Sequence, residues 1–305
     1  MGFTKIHTFV LGLLTVAMLF AAQLFYDSDA RKDQGHSLKI LDKILDKIRD
    51  VKSESKSLKY KKEEINNSLA VLLQQRNNIS RILNLKQQKI GQMECEEATQ
   101  KRVRQKVSST GGWCAQTSVE NSGEHKTDTK LVPVLANFFR DKYVASFGDG
   151  PGRYKQLLLD TGLLKGYDAY DGAPFSEKTS KGRVRYLDLT LPQYGLPLYD
   201  WIMSLEVAEH IPQEFESIYL DNIVRHAKEG VILSWAKPGQ GGFSHVNTRP
   251  FEYVKDAFEK LGFEHDPENS AKLKKAASLE WLQWNTNVYR RKDMSNIEHI
   301  KTLLT

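Results

Sequence analysis

A chain of 305 residues is long enough for one domain of ordinary size plus an appendage. Its formal net charge of +6 is unevenly spread: residues 27 to 110 hold 19 Lys and Arg against 12 Asp and Glu, and residues 111 to 305 hold 24 against 26. The near-neutral C-terminal part argues against a domain that grips a phosphate backbone, so no nucleic-acid partner is expected.

Phe9 to Tyr26 form an apolar run of 18 residues broken only by Thr15 and Gln23. As a helix it measures roughly 27 Å, enough to cross a bilayer. Lys5 precedes the run, whereas Asp27, Asp29 and Asp33 outweigh Arg31 and Lys32 behind it. That bias puts the N-terminus in the cytosol and the rest on the far side. Residues 1–30 are therefore expected to be a signal anchor that ties a single-pass type II protein to the membrane of the endoplasmic reticulum, Golgi or cell surface. The rival is a signal peptide cleaved near Ala21 and Ala22, leaving a secreted chain.

Residues 31–107 read as a stem. Leu41, Ile44, Ile48, Val51, Leu58, Ile65, Leu69, Leu72, Ile79, Leu83 and Ile90 fall on one seam of alternating three- and four-residue steps, with Ser55, Lys62, Arg76 and Lys86 at the remaining seam positions. About seven heptads of this kind predict a coiled coil, and with it a homo-oligomer. The other reading is one solvated helix that packs on its own domain. The triplets beginning at Asn66 and Asn78 are glycosylation sequons, which test a lumenal topology. Cys95 and Cys114 are the only cysteines; they form one disulfide in an oxidising compartment or remain two free thiols.

From Gly111 the composition changes to short apolar runs separated by helical patterns. KYVASFGDGPG reads as a strand entering a glycine loop, LKGYDAYDG as a second strand ending in an acid, and RVRYLDL as a third. YDWIMSLE is a fourth strand, followed by the helical PQEFESIYLDNIVRHA. GVILSW is a fifth, followed by the amphipathic PFEYVKDAFEKLGF, and TNVYRR is expected at the sheet edge. Strands alternating with helices predict an α/β fold with a doubly wound, mostly parallel sheet. Ligands of such sheets bind off the carboxyl ends of the strands. Gly148-Asp149-Gly150-Pro151-Gly152 sits there, and its missing Cβ atoms let a cofactor approach the backbone. Asp171 ends the second strand, where an acid hydrogen-bonds ribose hydroxyls or starts a turn before Gly172.

VASFGDGPG, YDAYDGA, YLDL and YDWIMSLEVAEHIP, in this order and spacing, resemble class I S-adenosylmethionine-dependent methyltransferases. GGWC, RYLDL, SLEVAEHIP, LDNIVRHA and LSWAKPGQGGFSHVN are similar, more narrowly, to the methyltransferase-like 24 family. The resemblance covers residues 108–292 and leaves 293–305 as a tail. It implies a Rossmann-like domain, S-adenosylmethionine as cofactor, and a small-molecule, glycan or protein acceptor. By position it implies that Gly148, Gly150 and Gly152 line the methionine and ribose of the cofactor. Asp171 then holds the ribose hydroxyls, Leu187 and Asp188 sit by the adenine, and Glu206 borders the methionine end. The class carries an acid two residues before the first glycine, where this chain has Ser146. Asp149 inside the loop is the residue available to compensate and is counted with the cofactor-binding set.

His210 and His245 are candidate bases beside Glu206, because imidazole titrates near neutrality; a structural hydrogen bond is the other role for His210. Glu206, Glu209 and His210, with His245, are also similar to the metal-binding set of small-RNA 2′-O-methyltransferases, and such ligands suit a divalent ion. The charge balance and secretory routing weigh against RNA. Glu209 is read instead as a charge at a helix N-terminus, and no metal is assigned. Two functions stay open: a membrane-anchored or secreted methyltransferase, and a methyltransferase-fold interaction protein with a vestigial pocket, assembled by its stem.

Overall fold

The computed structural model describes residues 34–103, 107–115 and 125–304. The predicted anchor, Phe9 to Tyr26, lies outside them, and no helix among the described residues is long and apolar enough to cross a membrane. The chain divides into two compact units, Met1–Ala70 and Val71–Thr305.

Helix α1 runs unbroken over Gln34–Gln100, 67 residues rich in Lys, Glu, Gln and Leu and free of Pro. In the first unit the described residues are this helix alone, and seam residues Ile44, Val51, Leu58, Ile65 and Leu69 are exposed. In the second unit the helix packs on the domain through its polar face. Leu73, Ser80, Gly91 and Cys95, four or more residues apart, are the buried positions. Seam residues Leu72, Ile79, Leu83 and Ile90 stay exposed on the other side. The second unit thus includes the docked part of α1 from Val71 onward.

Seven strands follow: β1 Tyr143–Phe147, β2 Gly166–Asp171, β3 Arg185–Tyr186, β4 Tyr199–Ser204, β5 Ala227–Leu233, β6 Phe263–His265 and β7 Asn287–Arg291. Their spatial order is β3-β2-β1-β4-β5-β7-β6. β1 to β5 run parallel, and β7 is antiparallel to both β5 and β6. The sheet is Rossmann-like and doubly wound, with one reversed strand. TNVYRR is therefore not an edge strand. Val288 and Tyr289 are fully buried between β5 and β6, and the three residues of β6 form the edge.

The helices of the domain are α2 Val132–Phe138, α3 Arg153–Asp160, α4 Ser176–Thr179, α5 Glu216–His226, α6 Phe251–Lys260, α7 Pro267–Ala276, α8 Glu280–Asn285 and α9 Ile297–Leu304. Alternation along the strands feeds two cores. Ala145, Phe147, Ile202, Val231 and Leu233 meet Tyr219 and Ile223 of α5 and Phe258 of α6. Val144, Trp201, Met203, Ile232 and Val288 meet Leu135 of α2, Leu158 of α3, Leu273 of α7 and Leu282 of α8.

The two-residue β3 would leave a bare sheet edge, and α1 covers it. The Asn84 side chain donates to the Tyr186 carbonyl (3.1 Å) and accepts from the Asp188 amide (2.9 Å), as a neighbouring strand would. Ser80 Oγ donates to the Pro192 carbonyl (3.0 Å) and accepts from the Tyr194 amide (2.9 Å), and the Gln88 and Gln92 amides both donate to the Pro174 carbonyl.

Candidate functional site

The order of strands turns back between β1 and β4, the position at which doubly wound sheets open a crevice. A cavity of about 470 Å³ lies there, within the range that takes one cofactor-sized ligand. Its walls come from the loops after β1, β2, β3, β4 and β5, from Gly111 to Trp113, and from Trp281 and Trp284 of α8.

The glycine loop is pinned from below. The amides of Gly148 and Asp149 both donate to the Tyr170 carbonyl (2.8 and 2.9 Å). Gly148 has φ +96°, and a Cβ there would come within 2.2 Å of Val207, so only glycine keeps the turn. The Gly150 amide donates to one oxygen of the Asp171 carboxylate and the Ala173 amide to the other, each at 2.8 Å. This clamp ties the ends of β1 and β2 together. Burial still raises the Asp171 carboxyl above its ordinary value despite the two amides.

Gly148, Gly150, Asp171, Leu187, Asp188, Glu206, His210 and His245 all line this one cavity. Asp149 and Gly152 do not. The Asp149 side chain turns under the loop, accepts from Ser146 Oγ (3.1 Å) and from the Lys155 amide in the first turn of α3 (3.3 Å), and is 1 % exposed. Ser146 and Asp149 thus form a buried brace beneath the loop instead of a cofactor contact. Burial pushes the Asp149 carboxyl up to about 7. Gly152 starts α3 in a left-handed conformation against Val184.

SLEVAEHIP, Ser204 to Pro212, supplies another wall of the cavity. Glu206, two residues past β4, holds φ +56°, strain of the kind that gathers at functional sites. Its amide donates to Ser234 Oγ (2.7 Å). Ala208–His210 form a 3-10 turn, and the carbonyl of Glu209 accepts from the amides of Val246 and Asn247 (2.8 and 3.0 Å). Those bonds draw the loop after β5 over the turn. Glu209 is not a helix-start charge, because its side chain points inward and is fully buried. Both Glu209 oxygens and Glu206 Oε1 are buried without a hydrogen bond of good geometry, although the Ala236 amide and the Glu206 carboxyl lie near enough to act on Glu209. Burial raises both carboxyls above the ordinary range, and the charge of Glu206 adds to the effect on Glu209.

The imidazoles of His210 and His245 stand edge to face with centroids 5.2 Å apart. His210 Nδ1 lies 3.2 Å from the Ser244 carbonyl and His245 Nδ1 3.2 Å from the Gln240 carbonyl. A carbonyl only accepts, so each Nδ1 carries a proton. Burial pushes His210 down to about 4, which leaves it neutral at pH 7.

One wall had only a weak signal in the sequence. Trp113 packs edge-on against His210 and Phe243, with centroids at 6.0 and 5.5 Å. Cys114 beside it is joined to Cys95 of α1 by a disulfide. A Cβ on Gly112 would come within 2.2 Å of the Gly172 carbonyl, so the backbone of this segment lies directly on the end of β2. A tryptophan next to one of the only two cysteines was the available hint. His125, Lys126, Trp281 and Trp284 also line the cavity, and no motif pointed to them.

No protein-family model and no curated protein matches the chain. Among solved structures, it is similar to magnesium protoporphyrin IX methyltransferase from Synechocystis PCC 6803 with bound SAH, at 15% identity over 55% of this chain and 90% of that one, with a TM-score of 0.40. It is similar to the methyltransferase domain of bacterial CtHen1 at 16% identity over 53% and 95%, TM-score 0.38. A third is the Burkholderia thailandensis 1,6-didemethyltoxoflavin-N1-methyltransferase, at 15% identity over 58% and 84%, TM-score 0.39. Identities this low leave the chemistry of the pocket to be read from its own residues.

Proposed function

We propose that the chain is an S-adenosylmethionine-dependent methyltransferase of the secretory route, close in kind to the methyltransferase-like 24 family. The observation that carries this reading is the clamp of the Gly150 amide on the Asp171 carboxylate. It holds both in one cavity with Leu187 and Asp188, off the carboxyl ends of the parallel strands. S-adenosylmethionine is the cofactor for this cavity, with its ribose at Asp171 and its adenine by Leu187 and Asp188.

Methyl transfer is an in-line displacement. The acceptor lone pair forms a bond to the methyl carbon, the carbon–sulfur bond breaks with its electrons left on sulfur, and the acceptor's proton leaves. The protein's part is alignment and exclusion of water. Glu206, His210 and His245 line the same cavity and are the polar side chains available beside an acceptor. The acceptor is a small molecule, glycan or protein. The Cys95–Cys114 disulfide supports an oxidising compartment, consistent with a type II protein whose domain faces the lumen or the outside. The exposed seam of α1 supports assembly as a coiled-coil homo-oligomer.

The test is calorimetric titration of the purified, disulfide-intact chain with S-adenosylmethionine and S-adenosylhomocysteine. One site per chain is expected. Gly150→Arg should abolish binding, since even a Cβ there meets the His125 ring at 2.5 Å. Asp171→Ala should weaken it at least about tenfold, the loss of one good charge-assisted bond. No heat from the wild-type chain would refute the reading and leave the interaction-protein alternative.

A further inference from the structure

Helix α1 reaches the walls of the cavity as well as the sheet edge, and one side chain makes the connection. The two bonds of the Asn84 carboxamide, to the Tyr186 carbonyl and from the Asp188 amide, fall on either side of Leu187. On its other edge the Leu187 amide donates to the Asp171 carbonyl (3.0 Å). The backbone of Leu187 is therefore held between Asn84 and the end of β2. The Gln193 side chain donates both to Asn84 Oδ1 and to the Asp188 carbonyl, which closes the ring of contacts.

That backbone decides where the Asp188 carboxylate stands. Its Oδ1 accepts from the amide and the hydroxyl of Thr190 (2.8 and 2.6 Å). Its Oδ2 accepts only a longer bond from the Tyr186 hydroxyl (3.3 Å) among the described residues. A carboxylate oxygen accepts twice, so Oδ2 keeps a lone pair for the N–H of a ligand. Asp188 is buried yet lines the cavity, so water competes little for that lone pair. Ser80, one turn earlier on α1, docks just as closely but on Pro192 and Tyr194, which do not line the cavity.

We propose that Asn84 is a positioning residue for the base of the cofactor: α1 sets the Leu187–Asp188 backbone so that Asp188 selects adenine over hypoxanthine. The inference rests on the methyltransferase reading and adds to it a part for the stem. The exocyclic amine of adenine donates to a carboxylate, whereas the carbonyl that replaces it in hypoxanthine brings lone pair against lone pair. A site built around one hydrogen bond rejects the analogue that cannot make it. Helix and base then act on one short segment, so each stabilises the binding of the other by the same factor.

The test uses the full, disulfide-intact chain, titrated by calorimetry with S-adenosylhomocysteine and with S-inosylhomocysteine. The wild-type chain should prefer the adenosyl ligand at least about tenfold, the worth of one charge-assisted bond. Asn84→Leu should weaken the adenosyl ligand by a similar factor, leave the inosyl ligand nearly unchanged, and so remove the preference. Ser80→Ala should lower the unfolding midpoint and keep the preference, because its contacts lie away from the cavity. If Asn84→Leu fails to fold, hydrogen exchange of the wild-type chain decides. At equal multiples of their Kd, the adenosyl ligand should slow the amides from Ser80 to Cys95 more than the inosyl ligand does. Equal slowing, equal wild-type affinity for the two ligands, an unchanged preference in Asn84→Leu, or the same loss of preference in Ser80→Ala would each overturn the inference and leave the methyltransferase reading standing. A wild-type chain that binds neither ligand would refute both.

Discussion

Asp149 shows how a residue can belong to a motif yet not to its chemistry. Its place between two glycines suggested contact with the cofactor, but its side chain is buried, where Ser146 Oγ and the Lys155 amide donate to it. The burial has a measurable consequence. The carboxyl is raised from 3.8 to about 7, so between those pH values the folded state holds more of its proton than the unfolded state. Stability is therefore greatest below about pH 4 for this group and declines as pH rises toward 7. Asn at this position has no proton to lose and can still accept from Ser146. Urea unfolding should find Asp149→Asn close to wild type near pH 4 and more stable at pH 8, by on the order of a few kcal/mol. The same difference at both pH values would mean that Asp149 ionises freely. Glu209 escaped the sequence reading for a related reason. Spacing places an acid before a helix, but the chain makes a 3-10 turn there with the side chain buried, held by the Val246 and Asn247 amides 37 and 38 residues later.

Among the elements, those with strong local patterns were legible. The glycine loop, β1, β2, β4 and β5, and helices α5 and α6 lie where the runs of apolar residues put them. β3, Arg185–Tyr186, lies inside RVRYLDL, where a third strand was expected, whereas β6 has only three residues, too few to carry a pattern, and without it the buried β7 reads as an edge. The long helix and its apolar seam were legible, but the polar stripe that docks on the domain was not. Periodicity marks the apolar stripe, yet the domain takes the polar stripe, because Asn, Gln and Ser can satisfy the open backbone groups of β3 and its neighbours. The apolar stripe stays exposed, and the assembly proposed through it can be tested. Sedimentation of the disulfide-intact chain should show an oligomer, and Leu58→Lys with Ile65→Lys should reduce it to a monomer with the domain's unfolding midpoint unchanged. A wild-type monomer at micromolar concentration would refute assembly through α1.

For the molecule as a whole, the disulfide is the link between helix and site. Cys95 ends the docked part of α1 and Cys114 follows Trp113, so one covalent bond closes a separation of 19 residues and carries the tryptophan that walls the cavity. Closing a loop of this length stabilises by about 3 kcal/mol in the chain-entropy account. Cys95→Ser with Cys114→Ser should lower the unfolding midpoint accordingly and loosen ligand binding at the Trp113 wall; an unchanged midpoint and affinity would show that the polar docking contacts hold the segment unaided. Pairing was one of two open readings of the sequence, since two cysteines 19 residues apart do not reveal whether the fold brings them together.

The double-faced helix also sets which kinds of change this protein can accept as it diverges. Each residue added or removed turns an α-helix by about 100°, so one insertion between Ser80 and Cys95 would swing Leu73 and Ser80 off the domain and bring apolar neighbours round in their place. Substitutions on the outer stripe leave the docking untouched. From Leu73 to Cys95 the docking therefore constrains the count of residues more tightly than the letters on the outer face.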